Sequence, residues 1–217
     1  PGTDIRWLSN PYDANGGEED FLGANVYHTN PYFATKSPLN DDLRKRFIGS
    51  AKVGWALKSK LSAGTRAALE HGGAAPVIVE SDADFSEMIP DLVKGGFYHA
   101  GQVCVSVQKV YVNQEICDRF IEQFSEAANK LIVGNPFEET TDVGPLITPK
   151  EVNRVEEWVN EAIAEGASLI AGGKRISDTT FQPTILFNPS EDSKVSTNEI
   201  FGPVVTLQPT QYWAKIN

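Results

Sequence analysis

Between residues 46 and 208, short apolar runs alternate with longer stretches in which apolar residues recur at helical spacing. The short runs are rich in β-branched residues, which is typical of strands buried in a sheet. They are RFIG (46–49), PVIV (76–79), VSVQKVYV (105–112), ASLIAGG (167–173), TILF (184–187) and PVVTLQ (203–208). Strands that alternate with helices favour parallel pairing. The pattern predicts an α/β fold, a parallel sheet with helices on both faces.

The predicted helices carry recognisable end signals. Ser50 is placed to cap the helix after RFIG, and Asn113 to cap the helix after VSVQKVYV. The segment 148–151 (TPKE) combines a capping box with proline at the first helical position. Pro90 predicts a kink or a boundary in the helical stretch 82–99. The two clearest apolar faces are Ile116, Phe120, Phe124, Ala127 and Leu131, and Val152, Val155, Val159 and Ile163.

Composition narrows the functional classes. The 217 residues are 41% hydrophobic, enough for a buried core, and the net charge of −10 disfavours nucleic acid and anionic membranes as partners. No apolar run approaches the length of a membrane span, and the first residues do not resemble a signal peptide. Two cysteines and three histidines lack zinc spacing, so we expect no metal. Two cysteines are too few for a disulfide framework, so we expect the protein in the reducing cytoplasm.

Cys104, in the stretch GGFYHAGQVCVSVQKV (95–110), is open to two interpretations. A buried cysteine is ordinarily a small apolar residue of the core. Gly101, however, permits a sharp turn or a close backbone approach to a ligand, and a turn that leads into a strand is where reactive residues become accessible. The sequence context leaves both a core thiol and a nucleophile open.

Two further segments carry candidate residues. Glu70 precedes Gly72 and Gly73, so it is either a general base on a flexible corner or a solvated carboxylate at a helix end. The third segment is NEIFGPVV (198–205). Taken alone, Glu199 would be interpreted as a charge on the surface and Phe201 as an aromatic residue of the core.

Together these segments resemble the aldehyde dehydrogenase superfamily. LEHGG (69–73) is similar to its glutamate motif, GQVC (101–104) to its cysteine motif, EIFGPVV (199–205) to its third signature, and FIGSAKVG (47–54) to its cofactor-binding turn and helix. The four motifs stand in the family's order and spacing. The resemblance covers residues 46 to about 207 and implies a Rossmann-like sheet of the family's catalytic-domain type.

The resemblance implies roles for two catalytic residues. Cys104 would attack an aldehyde as the thiolate, and hydride transfer from the resulting thiohemiacetal to the nicotinamide ring would leave a thioester. Glu70 would activate the water that hydrolyses the thioester. An exposed carboxylate is a weak base at neutral pH, so we expect Glu70 to be buried.

The resemblance also implies a site for NAD or NADP. Gly49 and Ser50 would approach the pyrophosphate at a helix N-terminus, where backbone N–H groups and the helix dipole favour phosphate. Glu199 would bind the nicotinamide ribose, and Phe201 would pack near the ring. The backbone N–H of Cys104 would supply half of an oxyanion hole.

The domain prediction follows the motifs. Residues 1–45 are rich in turn-forming residues and stay unassigned, 46–69 belong to a cofactor-binding domain, 70–207 form the catalytic domain, and 208–217 are a tail. Family members are roughly twice as long, so we expect a piece of the full enzyme. A sheet edge left open by a missing strand invites pairing with another copy, which predicts a homo-oligomer.

Three functions remain open at this point. The first is oxidation of a small aldehyde with NAD or NADP. The second is a cofactor-independent thiol esterase, since Cys104 and Glu70 suffice for acyl transfer. The third is a non-catalytic interaction domain. Binding of a nicotinamide cofactor separates the first from the others, and acylation of Cys104 separates the second from the third.

Overall fold

A computed structural model describes residues 26–27, 44–61 and 65–211. The chain divides into two compact units, residues 1–72 and 73–217. The predicted loop-rich segment 1–45 lies largely outside the described residues. The predicted tail 208–217 is wrong for residues 208–210, which belong to the strand that begins at Val204, and the tail lies outside the described residues from 212 onwards. Within the described ranges, no helix is long and apolar enough to cross a membrane.

The first unit contains a three-stranded sheet and one helix. The elements are β1 (Val26–Tyr27), β2 (Arg44–Gly49), α1 (Ala51–Ser59) and β3 (Arg66–His71). The strand order is β1-β2-β3, with β1 antiparallel and β3 parallel to β2. The β2–α1–β3 succession is the parallel unit predicted from RFIG and the helix after it. Ser50 caps α1 as predicted, because its Oγ accepts a hydrogen bond from the N–H of Val53 at 3.4 Å.

The second unit contains a five-stranded sheet in the order β4-β5-β8-β7-β6. Neighbouring strands are parallel except for β6, which is antiparallel to β7. The strands are β4 (Val77–Val79), β5 (Lys109–Asn113), β6 (Ser168–Ala171), β7 (Thr184–Phe187) and β8 (Val204–Thr210). The helices are α2 (Phe85–Phe97), α3 (Cys117–Asn129), α4 (Pro149–Ala164) and α5 (Lys194–Thr197), with 3₁₀ turns at Tyr98–Gly101 and Gln114–Ile116.

The centre of this sheet is buried on both faces. Consecutive residues of β8, from Val204 to Leu207, are all inaccessible to solvent, and so are Ile185 and Leu186 of β7. Consecutive burial requires cover on both sides, because neighbouring side chains of a strand point to opposite faces. The predicted α/β class with a mainly parallel sheet is therefore confirmed.

Aromatic packing joins α2 to α3. Phe120 and Phe124 of α3 stack with ring centroids 5.4 Å apart, and Phe97 of α2 stacks on Phe124 at 6.2 Å. Phe85, at the other end of α2, meets Phe120 edge-on. Each ring that is fully buried stabilises the fold by about 1.5–3 kcal/mol. The apolar face predicted for α3 is thus the face that packs.

Four local predictions are wrong. The strand expected over 105–112 begins only at Lys109, because residues 103–106 form a turn. Of the kink and the boundary predicted for Pro90, the boundary is wrong, because α2 runs through this residue. The capping box of α4 is not formed, since the Thr148 side chain makes no capping bond. Glu70 lies in β3 rather than at a helix end.

Candidate functional site

The turn that carries Cys104 is preceded by an unusual backbone. Helix α2 ends at Phe97, and His99, Ala100 and Gly101 then adopt left-handed conformations with φ of +50°, +54° and +69°. Gly101 is required here, because a β carbon at this position would overlap the carbonyl of Gly202. Left-handed conformations in residues other than glycine cost of order 1–3 kcal/mol and persist only where the surroundings impose them.

Hydrogen bonds to the end of α2 fix the far side of the turn. The N–H of Ser106 donates to the carbonyl of Val103 at 2.9 Å, which closes the turn with Cys104 inside it. The Ser106 hydroxyl lies 3.2 and 3.3 Å from the carbonyls of Gly95 and Gly96. The N–H of Val107 donates to the Gly95 carbonyl at 3.0 Å. Ser106 thus closes the turn and also fixes it to the end of α2.

Gln102 fixes the near side of the turn. Its side-chain N–H₂ donates to the carbonyl of His99 at 3.0 Å and to that of Pro145 at 3.2 Å. Its side-chain oxygen accepts from the N–H of Ile147 at 2.9 Å. The amide therefore ties the left-handed segment to the stretch that leads into α4. Cys104 is held between this anchor and the one at Ser106.

The two cysteines have opposite surroundings. Cys104 is exposed and lies in the turn, and the part of the chain that the structure describes offers its thiol no hydrogen-bond partner. Cys117, the first residue of α3, is only 5% exposed. Burial, and secondarily the charge of Asp118, raises the pKa of the Cys117 thiol. Cys104 is therefore the thiol that can meet a substrate.

Glu199 and Phe201 lie beside the cysteine turn. A small open cleft is lined by Gly73, Gly101, Val103, Ser106, Glu199 and Phe201, among others. Glu199 is partly buried, while Phe201 keeps 41% of its surface exposed and has a φ of +48°. The fold thus brings two of the predicted cofactor-binding residues to the residues that flank Cys104. The cleft opens at the amino ends of β5 and β8, since both segments precede those strands.

Gln108, which no sequence motif singled out, is buried at 5% exposure. Its side-chain oxygen accepts from the N–H of Ile200 at 2.7 Å, and its N–H₂ donates to the carbonyls of Asn198 at 2.8 Å and Val195 at 3.1 Å. The one sequence signal was a glutamine inside the apolar run 105–112.

The first unit holds the remaining candidates. In the parallel pairing of β2 with β3, Ile48 lies opposite Glu70 and Gly49 opposite His71. The turn of Gly49 and Ser50 and the candidate base thus lie at the carboxyl ends of neighbouring parallel strands, where open α/β sheets bind ligands. Glu70 is exposed on the edge strand β3, so the expected burial is not found.

Close packing of α1 on its sheet depends on a glycine. A β carbon at Gly54, which is buried, would overlap the imidazole of His71 and lie 3.0 Å from the ring of Phe47. A helix that packs this closely aims its N-terminus, with Ser50 as the cap, past the end of β2. The backbone N–H groups of the first turn can bind an anion there.

Metal chemistry has no support among the described residues. Within residues 26–27, 44–61 and 65–211, no group of three or more histidine, cysteine, aspartate or glutamate side chains is arranged to hold an ion. The polar groups around the cleft are amides, a hydroxyl and a single carboxylate.

Comparison with known proteins shows which family has a sequence similar to the segment that contains these motifs. The family model described as the aldehyde dehydrogenase family matches residues 43–215. A 3-sulfolactaldehyde dehydrogenase of Priestia megaterium is 46% identical over 162 residues, which cover 74% of this chain and 33% of that protein.

Solved structures agree with the family match. Aldehyde dehydrogenase 21 of Physcomitrella patens, in complex with succinate, superposes with a TM-score of 0.76 at 34% identity, over 82% of this chain and 39% of that one. The glyceraldehyde-3-phosphate dehydrogenase GapN of Methanocaldococcus jannaschii, complexed with NADP, gives 0.73 at 44% identity, over 77% and 36%. The chain spans about a third of the length of the curated relatives it matches.

Proposed function

This chain belongs to the aldehyde dehydrogenase family, and from that premise we propose that it carries the acyl-transfer centre of an enzyme that oxidises a small aldehyde to a carboxylic acid with NAD or NADP. The observation that carries the proposal is the cysteine turn. An exposed Cys104 is held in a doubly anchored turn that follows a strained left-handed segment, beside a cleft that Glu199 and Phe201 line. Strain of this kind concentrates at functional sites.

The proposed reaction begins at the thiol. The Cys104 thiolate attacks the aldehyde carbon, and the carbonyl oxygen becomes an alkoxide in a thiohemiacetal. A bound NAD or NADP would supply the acceptor for the hydride of this carbon. The carbon–oxygen double bond re-forms, and Cys104 is left as a thioester. Water attacks the thioester after losing a proton to Glu70, which releases the carboxylic acid and regenerates the thiolate.

The backbone supports the first step. The turn leaves the N–H of Cys104 without a backbone acceptor among the described residues, so it can donate to the developing alkoxide. It is half of an oxyanion hole. Donors held in place before reaction stabilise such charge more than mobile water does, because they need no reorganisation.

The candidate cofactor residues have the chemistry that the cofactor needs. The first turn of α1, behind Gly49 and Ser50, offers backbone N–H groups to a pyrophosphate. In the cleft, the Glu199 carboxylate can accept from ribose hydroxyls, and the half-exposed ring of Phe201 offers an apolar face to the nicotinamide. We propose these four residues as this chain's part of the cofactor site.

The remaining proposals concern organisation. We retain residues 46–69 as part of a cofactor-binding domain and 70–207 as the catalytic domain, while the boundary between compact units follows Gly72. We also propose a homo-oligomer that works in the cytoplasm on a small-molecule aldehyde, without nucleic acid or membrane as a partner.

Substitution of Glu70 tests the mechanism. General base catalysis contributes about 100- to 10,000-fold, so Glu70→Gln should slow hydrolysis of the thioester by that factor and leave its formation intact. With p-nitrophenyl acetate, the variant should release about one equivalent of nitrophenol and then stall, while wild type turns over slowly but continuously.

A matched control is Glu87→Gln, which removes an exposed carboxylate from α2. It should behave like wild type. If Glu70→Gln accumulates no more acetyl adduct than a wild-type protein that turns over, Glu70 is not the base.

A further inference from the structure

One peptide segment of the cleft is held by hydrogen bonds to a single buried side chain. The Gln108 amide accepts from the N–H of Ile200 at 2.7 Å and donates to the carbonyl of Asn198 at 2.8 Å. These two groups lie directly after and directly before Glu199. The backbone of Glu199 is therefore fixed on both sides by the same amide.

Gln108 is itself fixed to the sheet. Its backbone N–H donates to the carbonyl of Ala74 at 3.0 Å, and its backbone carbonyl accepts from the N–H of Thr206, in β8, at 2.8 Å. A buried amide whose polar atoms all have partners has a single favourable orientation, because any rotation would leave a buried group without a hydrogen bond. The side chain therefore fixes the segment 195–200 relative to the sheet.

A second side chain holds the same segment from α4. The Arg154 guanidinium donates to the carbonyl of Ile200 at 2.7 Å. It is oriented by Glu151, 2.7 Å away, and by the ring of Trp158, whose centroid lies 4.7 Å from the guanidinium carbon. Ile200 is 1% exposed. The N–H of Ile200 thus donates to Gln108. The carbonyl of Ile200, which belongs to the peptide bond with Phe201, accepts from Arg154.

We propose that Gln108 and Arg154 are positioning residues for the nicotinamide half of the cofactor. They fix the backbone on both sides of Ile200 and so aim Glu199 and Phe201 into the cleft. Phe201 needs this support, because a bulky residue with a positive φ is held only where its neighbours impose the conformation. The inference rests on the proposed function, since it gives Glu199 and Phe201 a cofactor to meet.

The same contacts could instead serve only the stability of the fold, and the two roles differ in what a substitution changes. A purely structural glutamine affects the free energy of unfolding and leaves the affinity of the folded protein for the cofactor alone. A positioning glutamine changes that affinity, and it does so through Glu199 and Phe201. The two effects are therefore coupled rather than additive.

The test uses the whole chain and two readouts. Amide hydrogen exchange followed by NMR reports the hydrogen bond at Ile200, and titration with NAD⁺ or NADP⁺ reports binding through the amide shifts of Glu199 and Phe201. Gln108→Leu keeps the volume and removes the amide. Gln208→Leu is the matched control, because Gln208 also donates to a loop carbonyl, that of Pro189 at 2.8 Å, away from Glu199.

We expect exchange at Ile200 to accelerate at least about tenfold in Gln108→Leu, with core amides of β8 unchanged. Cofactor affinity should fall by about three- to tenfold. In a protein that already carries Glu199→Gln, adding Gln108→Leu should weaken binding by less than it does in wild type, because only its effect through Phe201 remains. Gln208→Leu should match wild type in both readouts.

Arg154→Met keeps the test decisive if Gln108→Leu fails to fold, because Arg154 is partly exposed. It should weaken cofactor binding by a similar factor. Its matched control is Arg175→Met, which removes another arginine that is paired with α4, through Glu156 at 2.7 Å, without reaching Ile200.

The outcomes separate the two proposals. If wild type binds the cofactor and Gln108→Leu and Arg154→Met bind equally well, the positioning role is wrong and the proposed function stands. Additive losses in the Glu199→Gln background would also contradict it. If wild type shows no shift at Glu199 or Phe201 up to about 10 mM cofactor, about ten times the Kd of a weak, roughly 4 kcal/mol site, the proposed cofactor site fails and this inference fails with it.

Discussion

The turn at Cys104 and the start of α3 at Cys117 lie close together in sequence and place the same side chain in opposite settings. Cys104 comes after three left-handed residues and is exposed, and the side chains of Ser106 and Gln102 on either side of it donate hydrogen bonds to α2 and to the stretch before α4. Cys117 begins a regular helix and lies in the core, where burial raises the pKa of its thiol.

The difference teaches that backbone and burial, rather than residue type, decide which cysteine can react. At Cys117, removal from water stabilises the neutral thiol and closes access. At Cys104, the side chain is exposed and lies after the left-handed residues His99 and Ala100. Left-handed backbone in residues other than glycine is imposed by the surroundings and concentrates at functional sites.

The largest expected difference is in alkylation. In the native protein, iodoacetamide should modify Cys104 at least about 100-fold faster than Cys117, since a buried thiol reacts only after local opening that costs several kcal/mol. Limited labelling followed by peptide mapping measures the ratio, and labelling in denaturant should bring the two rates together. Equal rates in the native protein would remove the distinction.

Substitution by serine should give the next largest contrast. Cys117→Ser places a hydroxyl in an apolar core and should lower the free energy of unfolding by about 1–3 kcal/mol. Cys104→Ser, at an exposed position, should change it by less than about 0.5 kcal/mol. Urea unfolding of both variants gives the two values. A larger cost at Cys104 would assign that turn to the core of the fold.

A smaller difference should appear in the dependence of stability on pH. Because the pKa of Cys117 is raised in the folded state, its contribution to stability is complete below the thiol's ordinary pKa of 9.0 and is lost as the pH rises through the folded value. Between pH 8 and pH 10, the Tm of wild type and of Cys104→Ala should fall more than that of Cys117→Ala, by roughly 2 °C.

Titration of Lys194 also changes the Tm with pH, but only at higher pH than that of Cys117. The hydrogen bonds that Lys194 donates to Glu161 and Glu157 raise the pKa of its ammonium group, whose ordinary value is 10.5. Its contribution to stability is therefore lost only above that value. An identical fall in Tm for Cys104→Ala and Cys117→Ala would show that Cys117 does not titrate as a buried thiol.

Regular elements were predictable from the sequence where one physical signal dominated. The apolar spacing of Val152, Val155 and Val159 gave the buried face of α4, and each of these residues is inaccessible to solvent. The run TILF gave β7 with its bounds. Such periodicity survives folding because the packed face and the repeat of the helix or strand are the same property.

The site was less predictable because its geometry comes from contacts between distant segments. The left-handed backbone at Ala100 and Phe201 contradicts the local preference of both residues. Tertiary contacts impose it, such as that of Gly101 with Gly202. The sequence predicts Gln108 to be a strand residue. Only the fold shows that the hydrogen-bond partners of its side-chain amide lie about ninety positions further along the chain. The capping box failed similarly, since Glu151 pairs with Arg154 instead.

Acylation mapped by mass spectrometry tests the central claim, that Cys104 is the nucleophile, most directly. After brief exposure to p-nitrophenyl acetate, Glu70→Gln should carry one acetyl group, located on the peptide that contains Cys104. The adduct should disappear when Cys104→Ala is added and persist when Cys117→Ala is added instead. An acetyl group on Cys117, or an adduct that survives Cys104→Ala in equal yield, would contradict the account.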